Sequence, residues 1–320
     1  MTYLYLLTGL TILLVGAHYL IGNIIDLAKR LNVSQFLIAT CTIAIGTSLP
    51  ELSASIKSVA SDHSGIAVGN LIGSNIANIF LVVGLSSIIY PIKALQNTNE
   101  DILKIEGIAG IFIFLFPATI LWLKLDGFNS ILVSVLAILI FLYFFRERIT
   151  KEKLNVQVSN INDSIFYLVL KNIFFLTLLI IGCDILISNT VKLSENYNIS
   201  ERVIGLSLVA IGTSLPELTI CITAALKRKQ GIALGTVLGS NMYNILVMLS
   251  IVEIYENTIG NNGAILTNIK PVDLIFLLLS TLLLIIFYMQ PAKKPKIIDR
   301  QEGSILFAIY IVYIYLIYTT

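Results

Sequence analysis

The sequence predicts an all-α integral membrane protein of about ten transmembrane helices, arranged as two inverted five-helix repeats. Three observations carry that expectation. The 320 residues are 57% hydrophobic and only 12% charged, whereas a soluble domain carries roughly a quarter charged residues. Apolar runs approaching the ~20 residues needed to cross a bilayer recur along the whole chain. The chain also repeats itself at one fixed offset.

The apolar runs lie at Tyr3–Ile25, Phe36–Val59, Ile66–Ile89, Leu103–Leu123, Phe128–Phe145, Ile165–Val191, Val203–Leu226, Ile232–Ile254, Val272–Tyr288 and Ser304–Tyr318. They are continuously apolar, which argues against a transmembrane β-barrel, whose strands alternate. No Lys or Arg precedes the first run and no small-residue cleavage site follows it, so it reads as a span and not a signal peptide. With the N-terminus outside, Lys93, Lys104 and the basic residues of positions 29–30, 146–153, 227–229 and 293–300 fall in cytoplasmic loops. The outer loops then hold only Lys124, Lys192, Arg202 and Lys270. The positive-inside rule thus predicts both termini outside. Cys41, Cys183 and Cys221 fall inside spans, far apart, and read as buried small hydrophobes. A net charge of +2 gives no reason to expect a nucleic-acid partner. The expected surroundings are the lipid bilayer and inorganic cations, with no cofactor and no obligate protein partner. The lack of a targeting segment or regulatory domain suggests a prokaryotic plasma (inner) membrane.

GTSLPEL stands at Gly46–Leu52 and again at Gly212–Leu218. GSN stands at Gly73–Asn75 and at Gly239–Asn241, in the same register. Gly16, Leu20, Asn23, Leu27, Asn32 and Ser34 match Gly182, Leu186, Asn189, Leu193, Asn198 and Ser200 without a gap. Each repeat holds five spans. Five is odd, so the second copy enters the membrane from the opposite side, as in many secondary transporters. The predicted organisation is a first repeat over 1–146, a cytoplasmic linker over 147–163 and an inverted second repeat over 164–320.

A charge at mid-membrane costs at least about 2.5–3.5 kcal/mol, so intramembrane carboxylates are functional candidates. Glu51 and Glu217 occupy equivalent places in the second and seventh spans, each after a proline, Pro50 and Pro216. A helical proline removes one N–H and displaces the carbonyl four residues earlier, here Gly46 and Gly212. Thr47 and Thr213 share a helix face with their glutamates, and Ser48 and Ser214 add hydroxyls. In the third and eighth spans, Gly69 and Gly73, and Gly235 and Gly239, allow close helix approach. Ser74 with Asn78, and Ser240 with Asn244, add neutral oxygens at four-residue spacing. Carboxylate, hydroxyl, amide and carbonyl oxygens suit hard cations such as calcium and sodium.

GTSLPE followed by GSNIAN, then GTSLPE followed by GSNMYN, resembles the two α-repeats of the sodium/calcium exchanger family, prokaryotic type, within the calcium:cation antiporter superfamily. The resemblance implies ten helices and exchange of Ca2+ for Na+ by alternating access. The ions would bind at mid-membrane between the repeats. It further implies that Glu51 and Glu217 bind calcium with help from Thr47 and Thr213. Sodium would draw on Ser48, Ser214, Ser74, Ser240 and the carbonyls near Ala44 and Ala210, with Asn78 and Asn244 lining the centre. The implied three-to-one stoichiometry moves one net charge, worth about 2.3 kcal/mol per 100 mV. Two departures stand out. Relatives that co-transport potassium carry Asp where this chain has Asn244. Others have an acid where this chain has His18, although its repeat mate Asp184 keeps one.

The alternative on the same scaffold is a calcium, or other divalent cation, antiporter coupled to protons. An intramembrane serine enzyme fits badly. His18 and His63 are the only histidines, neither recurs in the other repeat, and no base pairs with Ser48 or Ser214 by pattern. A channel has no need of carboxylates that trap the ion.

Overall fold

The computed structural model describes residues 2–31, 39–60, 62–93, 111, 113, 115–117, 119, 127–151, 164–195, 203, 205–258, 269–288 and 297–319. Most of the predicted fourth span, and most of the linker, lie outside the described residues. Helix α1 is Thr2–Leu31. A π-helical stretch at Ala39–Ile43 and a short helix at Ala44–Thr47 lead into α2 at Leu49–Ala60. Helix α3 spans Ser64–Ile89 and widens into π-helix at Asn78–Val83. Helices α4, Gly127–Lys151, and α5, Ile165–Glu195, follow. The pattern then recurs: a π-helical stretch at Gly205–Val209, a short helix at Ala210–Thr213, and α6 at Leu215–Leu226. Helix α7, Gly231–Thr258, holds its own π-helical stretch at Asn244–Met248. Helices α8, Pro271–Tyr288, and α9, Arg300–Thr319, complete the described chain.

The chain is an all-α, multi-span membrane protein. Among the described residues, five helical stretches are long and apolar enough to cross a bilayer unaided: Ser64–Ile89, Phe128–Glu147, Ile165–Gly182, Gly231–Thr258 and Arg300–Thr319. Five such stretches are fewer than the ten predicted, and for two spans the reason is physical. The second and seventh spans are interrupted at Ser48 and Ser214, whose φ/ψ of −87°/2° and −81°/2° leave the helical region. The break falls two residues before each proline, so Pro50 and Pro216 sit in the first turn of a new helix, where the missing N–H costs little.

Burial sorts the helices into core and periphery. The apolar windows of α3 and α7 are 83% and 94% buried, while those of α4, α5 and α9 are only 22%, 18% and 28% buried. The α3 and α7 helices therefore form the centre, with α2 and α6 packed against them. Helix α1 runs along α5, and Tyr19 stacks on Phe175 at 5.3 Å between centroids. Ile92 and Lys93 pair antiparallel with Ile298 and Ile297, tying the end of α3 to the start of α9. Lys171 lays its ammonium 4.2 Å from the Tyr167 ring centroid. Asp62 and His63 are exposed, as expected of a short loop.

The turns after α2 and α6 match in detail. Asp62 N–H bonds Val59 O and His63 N–H bonds Ser58 O; Arg228 N–H bonds Ala225 O and Lys229 N–H bonds Ala224 O. This paired closure puts one residue in the left-handed region, here Asp62 at φ 62° and Arg228 at φ 57°. Asp tolerates that region; Arg does not. Arg228→Gly should therefore stabilise the protein by roughly 0.5–1 kcal/mol, the relieved strain less the extra backbone entropy of glycine. Thermal unfolding in detergent measures it, and an unchanged or lowered midpoint refutes it.

Candidate functional site

The two interrupted helices meet α3 and α7 at the centre, and the predicted polar residues converge there. Glu51, Glu217, Thr47, Thr213, Ser48, Ser214, Ser74, Ser240, Asn78 and Asn244 are all buried. Ala44 and Ala210, both fully buried, open the short helices beside them. The repeats interlock. Ser48 of the first donates to Glu217 Oε1 of the second at 3.4 Å, and Ser240 donates to the same oxygen at 3.1 Å. Ser74 of the first repeat pairs with the Thr213 hydroxyl of the second at 3.2 Å. Asn78 Nδ2 donates to Asn241 Oδ1 at 3.0 Å.

Several polar atoms in this cluster have no hydrogen-bond partner among the described residues: both oxygens of Glu51, Oε2 of Glu217, the Ser214 hydroxyl, Oδ1 of Asn78, and Oδ1 and Nδ2 of Asn244. Buried polar groups are normally partnered, and a buried unpaired carboxylate is costly. Such a set of buried, unpartnered oxygens is what a cation would complete. Among the described residues no three His, Cys, Asp or Glu side chains gather as a metal cluster. The neighbours of the two carboxylates are hydroxyls and amides, a hard-oxygen environment.

Pattern reading missed three residues here. Asn70 donates to Glu51 O and to Ser55 Oγ, both at 3.0 Å, and accepts from Thr213 at 2.9 Å. Asn75 and Asn241 join the central helices, Asn241 donating to Asn75 O at 3.4 Å. Asn75 and Asn241 stood in view inside the repeated GSN; Asn70 corresponds to Thr236 in the other repeat and carried no such signal. The side chain of His18 lies outside the described residues, as do those of Cys41 and Cys183. Asp184 is exposed on α5. Cys221 is buried and unpaired as a thiol, donating to Ala233 O at 3.3 Å.

A family model described as sodium/calcium exchanger protein matches residues 1–146 and 167–319. The chain belongs to the sodium/calcium exchanger family. It is 31% identical over 361 residues to the sodium/calcium exchanger MaX1 of Methanosarcina acetivorans, covering 99% of this chain and 98% of that one. An uncharacterized membrane protein of Methanocaldococcus jannaschii is 33% identical over 310 residues, covering 96% of this chain and 95% of the other. A solved structure of the sodium-calcium exchanger NCX_Mj, soaked with 2.5 mM Na+ and 0.1 mM Sr2+, matches with a TM-score of 0.77 at 30% identity. That match covers 98% of this chain and 99% of the other. The resemblance read from the two GTSLPE motifs is borne out. A member of this family is an ion antiporter and not an enzyme, so the buried serines are read as oxygen donors and not as nucleophiles.

Proposed function

We propose that this member of the sodium/calcium exchanger family exchanges Ca2+ for Na+ across the membrane by alternating access, with the ions held between Glu51 and Glu217. The observation that carries the reading is the buried oxygen cluster that both repeats share. Glu217 is bound by a hydroxyl from each repeat, while Glu51 lies fully buried with both oxygens unpartnered. Two carboxylates can balance one divalent ion; an empty, doubly negative cavity is costly to close. Closure is therefore favoured when the site is loaded, by calcium or by several sodium ions, which is coupled antiport.

In this reading Glu51 and Glu217 bind calcium, with Thr47 and Thr213 beside them. Ser48, Ser214, Ser74, Ser240 and the carbonyls of Ala44 and Ala210 serve sodium, and Asn78 and Asn244 line the centre. Ten helices form two inverted repeats, 1–146 and 164–320, joined by a cytoplasmic linker at 147–163. Both termini face outward across a prokaryotic plasma membrane. The equivalence of the turns at Asp62 and Arg228, and of the breaks at Ser48 and Ser214, supports the repeat assignment.

The test is calcium-45 uptake by sodium-loaded proteoliposomes diluted into sodium-free buffer. Uptake should require the outward sodium gradient. Uptake driven equally by a pH gradient without sodium overturns sodium coupling in favour of proton exchange.

A further inference from the structure

The two carboxylates stand in equivalent places of the repeat yet have different surroundings. Ser240 donates to Glu217 at 3.1 Å, and Ser48 reaches the same oxygen. By the repeat, Ser74 and Ser214 would do the same for Glu51. Neither does: Ser74 pairs with Thr213 at 3.2 Å, the Ser214 hydroxyl has no partner, and both Glu51 oxygens are bare.

The difference traces to one position. Asn70 and Thr236 are repeat mates, and they behave differently. Thr236 turns its hydroxyl back onto its own helix, bonding Ile232 O at 2.8 Å. Asn70 is fully buried and reaches outward with every polar group. Its two amide protons go to Glu51 O and Ser55 Oγ, and its Oδ1 lies 2.9 Å from the Thr213 hydroxyl, nearer than Ala210 O at 3.3 Å, so it is the better acceptor of that proton. A hydroxyl has one proton and two lone pairs. Once Asn70 holds that proton, the Thr213 oxygen is left as an acceptor, and the hydroxyl beside it is Ser74. Thr47, the mate of Thr213, reaches Ala44 O at 3.3 Å just as Thr213 reaches Ala210 O, but the residue matching Asn70 on its side is Thr236, which turns away.

We infer that Asn70 is a positioning residue for calcium: by holding the Thr213 proton it draws the Ser74 hydroxyl away from Glu51 and keeps that carboxylate open for the ion. The inference deepens the reading of a cation site at Glu51 and rests on it. Calcium arriving at Glu51 then has no serine hydroxyl to displace, whereas at Glu217 it must compete with Ser240 and Ser48. The fold is built from two copies of one motif, and Asn70 makes their two carboxylates inequivalent.

The test is equilibrium binding of calcium-45 to the purified full chain in sodium-free detergent buffer. Asn70→Thr installs the residue of the other repeat. It should raise the calcium Kd about tenfold, the equivalent of one hydrogen bond to a charged group. Adding Ser74→Ala to Asn70→Thr should restore the Kd to near the wild-type value, because the competing hydroxyl is gone. A merely structural role for Asn70 predicts no such rescue. The reciprocal Thr236→Asn should lower the Kd, and it decides the matter alone if Asn70→Thr fails to fold. An unchanged Kd in folded Asn70→Thr, a loss that Ser74→Ala does not repair, or no tightening in Thr236→Asn overturns the inference. A wild-type protein that binds calcium without sodium-driven uptake sinks the coupling and leaves this inference standing. One that binds no calcium sinks both.

Discussion

Replacing either central glutamate with glutamine should abolish sodium-dependent calcium uptake while leaving the protein folded, and Glu51→Gln should make the ion-free protein more stable. The two effects have one cause. Glu51 is fully buried and neither of its oxygens has a hydrogen-bond partner. A carboxylate in that position supplies charge to an incoming cation and costs free energy without one. Removing one partner of a buried charge pair costs about 3–5 kcal/mol. At the lower figure that is more than about a hundredfold in calcium affinity, which puts uptake below detection at micromolar calcium. The same substitution removes a desolvated, unpartnered charge worth roughly 1–3 kcal/mol of destabilisation. The thermal midpoint of Glu51→Gln in calcium- and sodium-free detergent should therefore rise by several degrees. Glu217→Gln should gain less, because Ser48 and Ser240 already satisfy one of its oxygens. Added calcium should raise the midpoint of the wild type, since a ligand bound only by the folded state stabilises it, and leave both variants unmoved. Wild-type uptake by Glu51→Gln would remove that residue from the site. A lowered ion-free midpoint would mean the carboxylate has a structural role instead.

The gathering of these residues was legible because the chain repeats itself. The paired Pro–Glu steps, the paired hydroxyls and the GSN segments recur in one register, and the structure brings all of them to the contact between α2, α3, α6 and α7. The same reasoning placed helix disruption near Pro50 and Pro216. It pointed to the Gly46 and Gly212 carbonyls, whereas the structure interrupts the helix at Ser48 and Ser214. A proline constrains the residues ahead of it, and the chain meets that constraint by ending one helix and starting another around the proline. The π-helical stretches at Ala39–Ile43, Asn78–Val83, Gly205–Val209 and Asn244–Met248 had no composition signal, because a wide turn uses the same apolar residues as an ordinary one. Asn70 was invisible for the opposite reason. A search for symmetry registers what the repeats share, and Asn70 matters through its difference from Thr236. Hydrogen-bond direction between helices is a property of packing, which periodicity does not encode.

Gly239→Ala should cost about 1–3 kcal/mol of stability, and Gly73→Ala nearly as much. A Cβ on Gly239 would lie 2.5 Å from Thr40 O, 2.6 Å from Ala44 Cβ and 3.0 Å from Thr40 Cα. One on Gly73 would lie 2.8 Å from Leu206 O, 2.8 Å from Ala210 Cβ and 2.9 Å from Leu206 Cα. These contacts are repeat mates of one another: each central helix presses its glycine onto the residues that open the interrupted helix of the other repeat. The obstacles are mostly backbone, so rotamer change cannot relieve them. The helices must separate, and overpacking of this kind costs about 1–3 kcal/mol per site. Separation also moves Ala44 and Ala210, which lead directly into Thr47 and Thr213, so transport should fall with stability. Gly46→Ala is the control. The atoms nearest its added methyl all belong to the Leu176 side chain, which can turn away, so the variant should keep most of its stability. The double variant of Gly73 and Gly239 should lose close to the sum of the single losses, because the two contacts share no residue. Thermal unfolding of the four proteins, with calcium uptake alongside, measures this directly. If Gly239→Ala proved as stable as Gly46→Ala, the close approach of α7 to the Thr40–Ala44 segment would not be what holds the two repeats together.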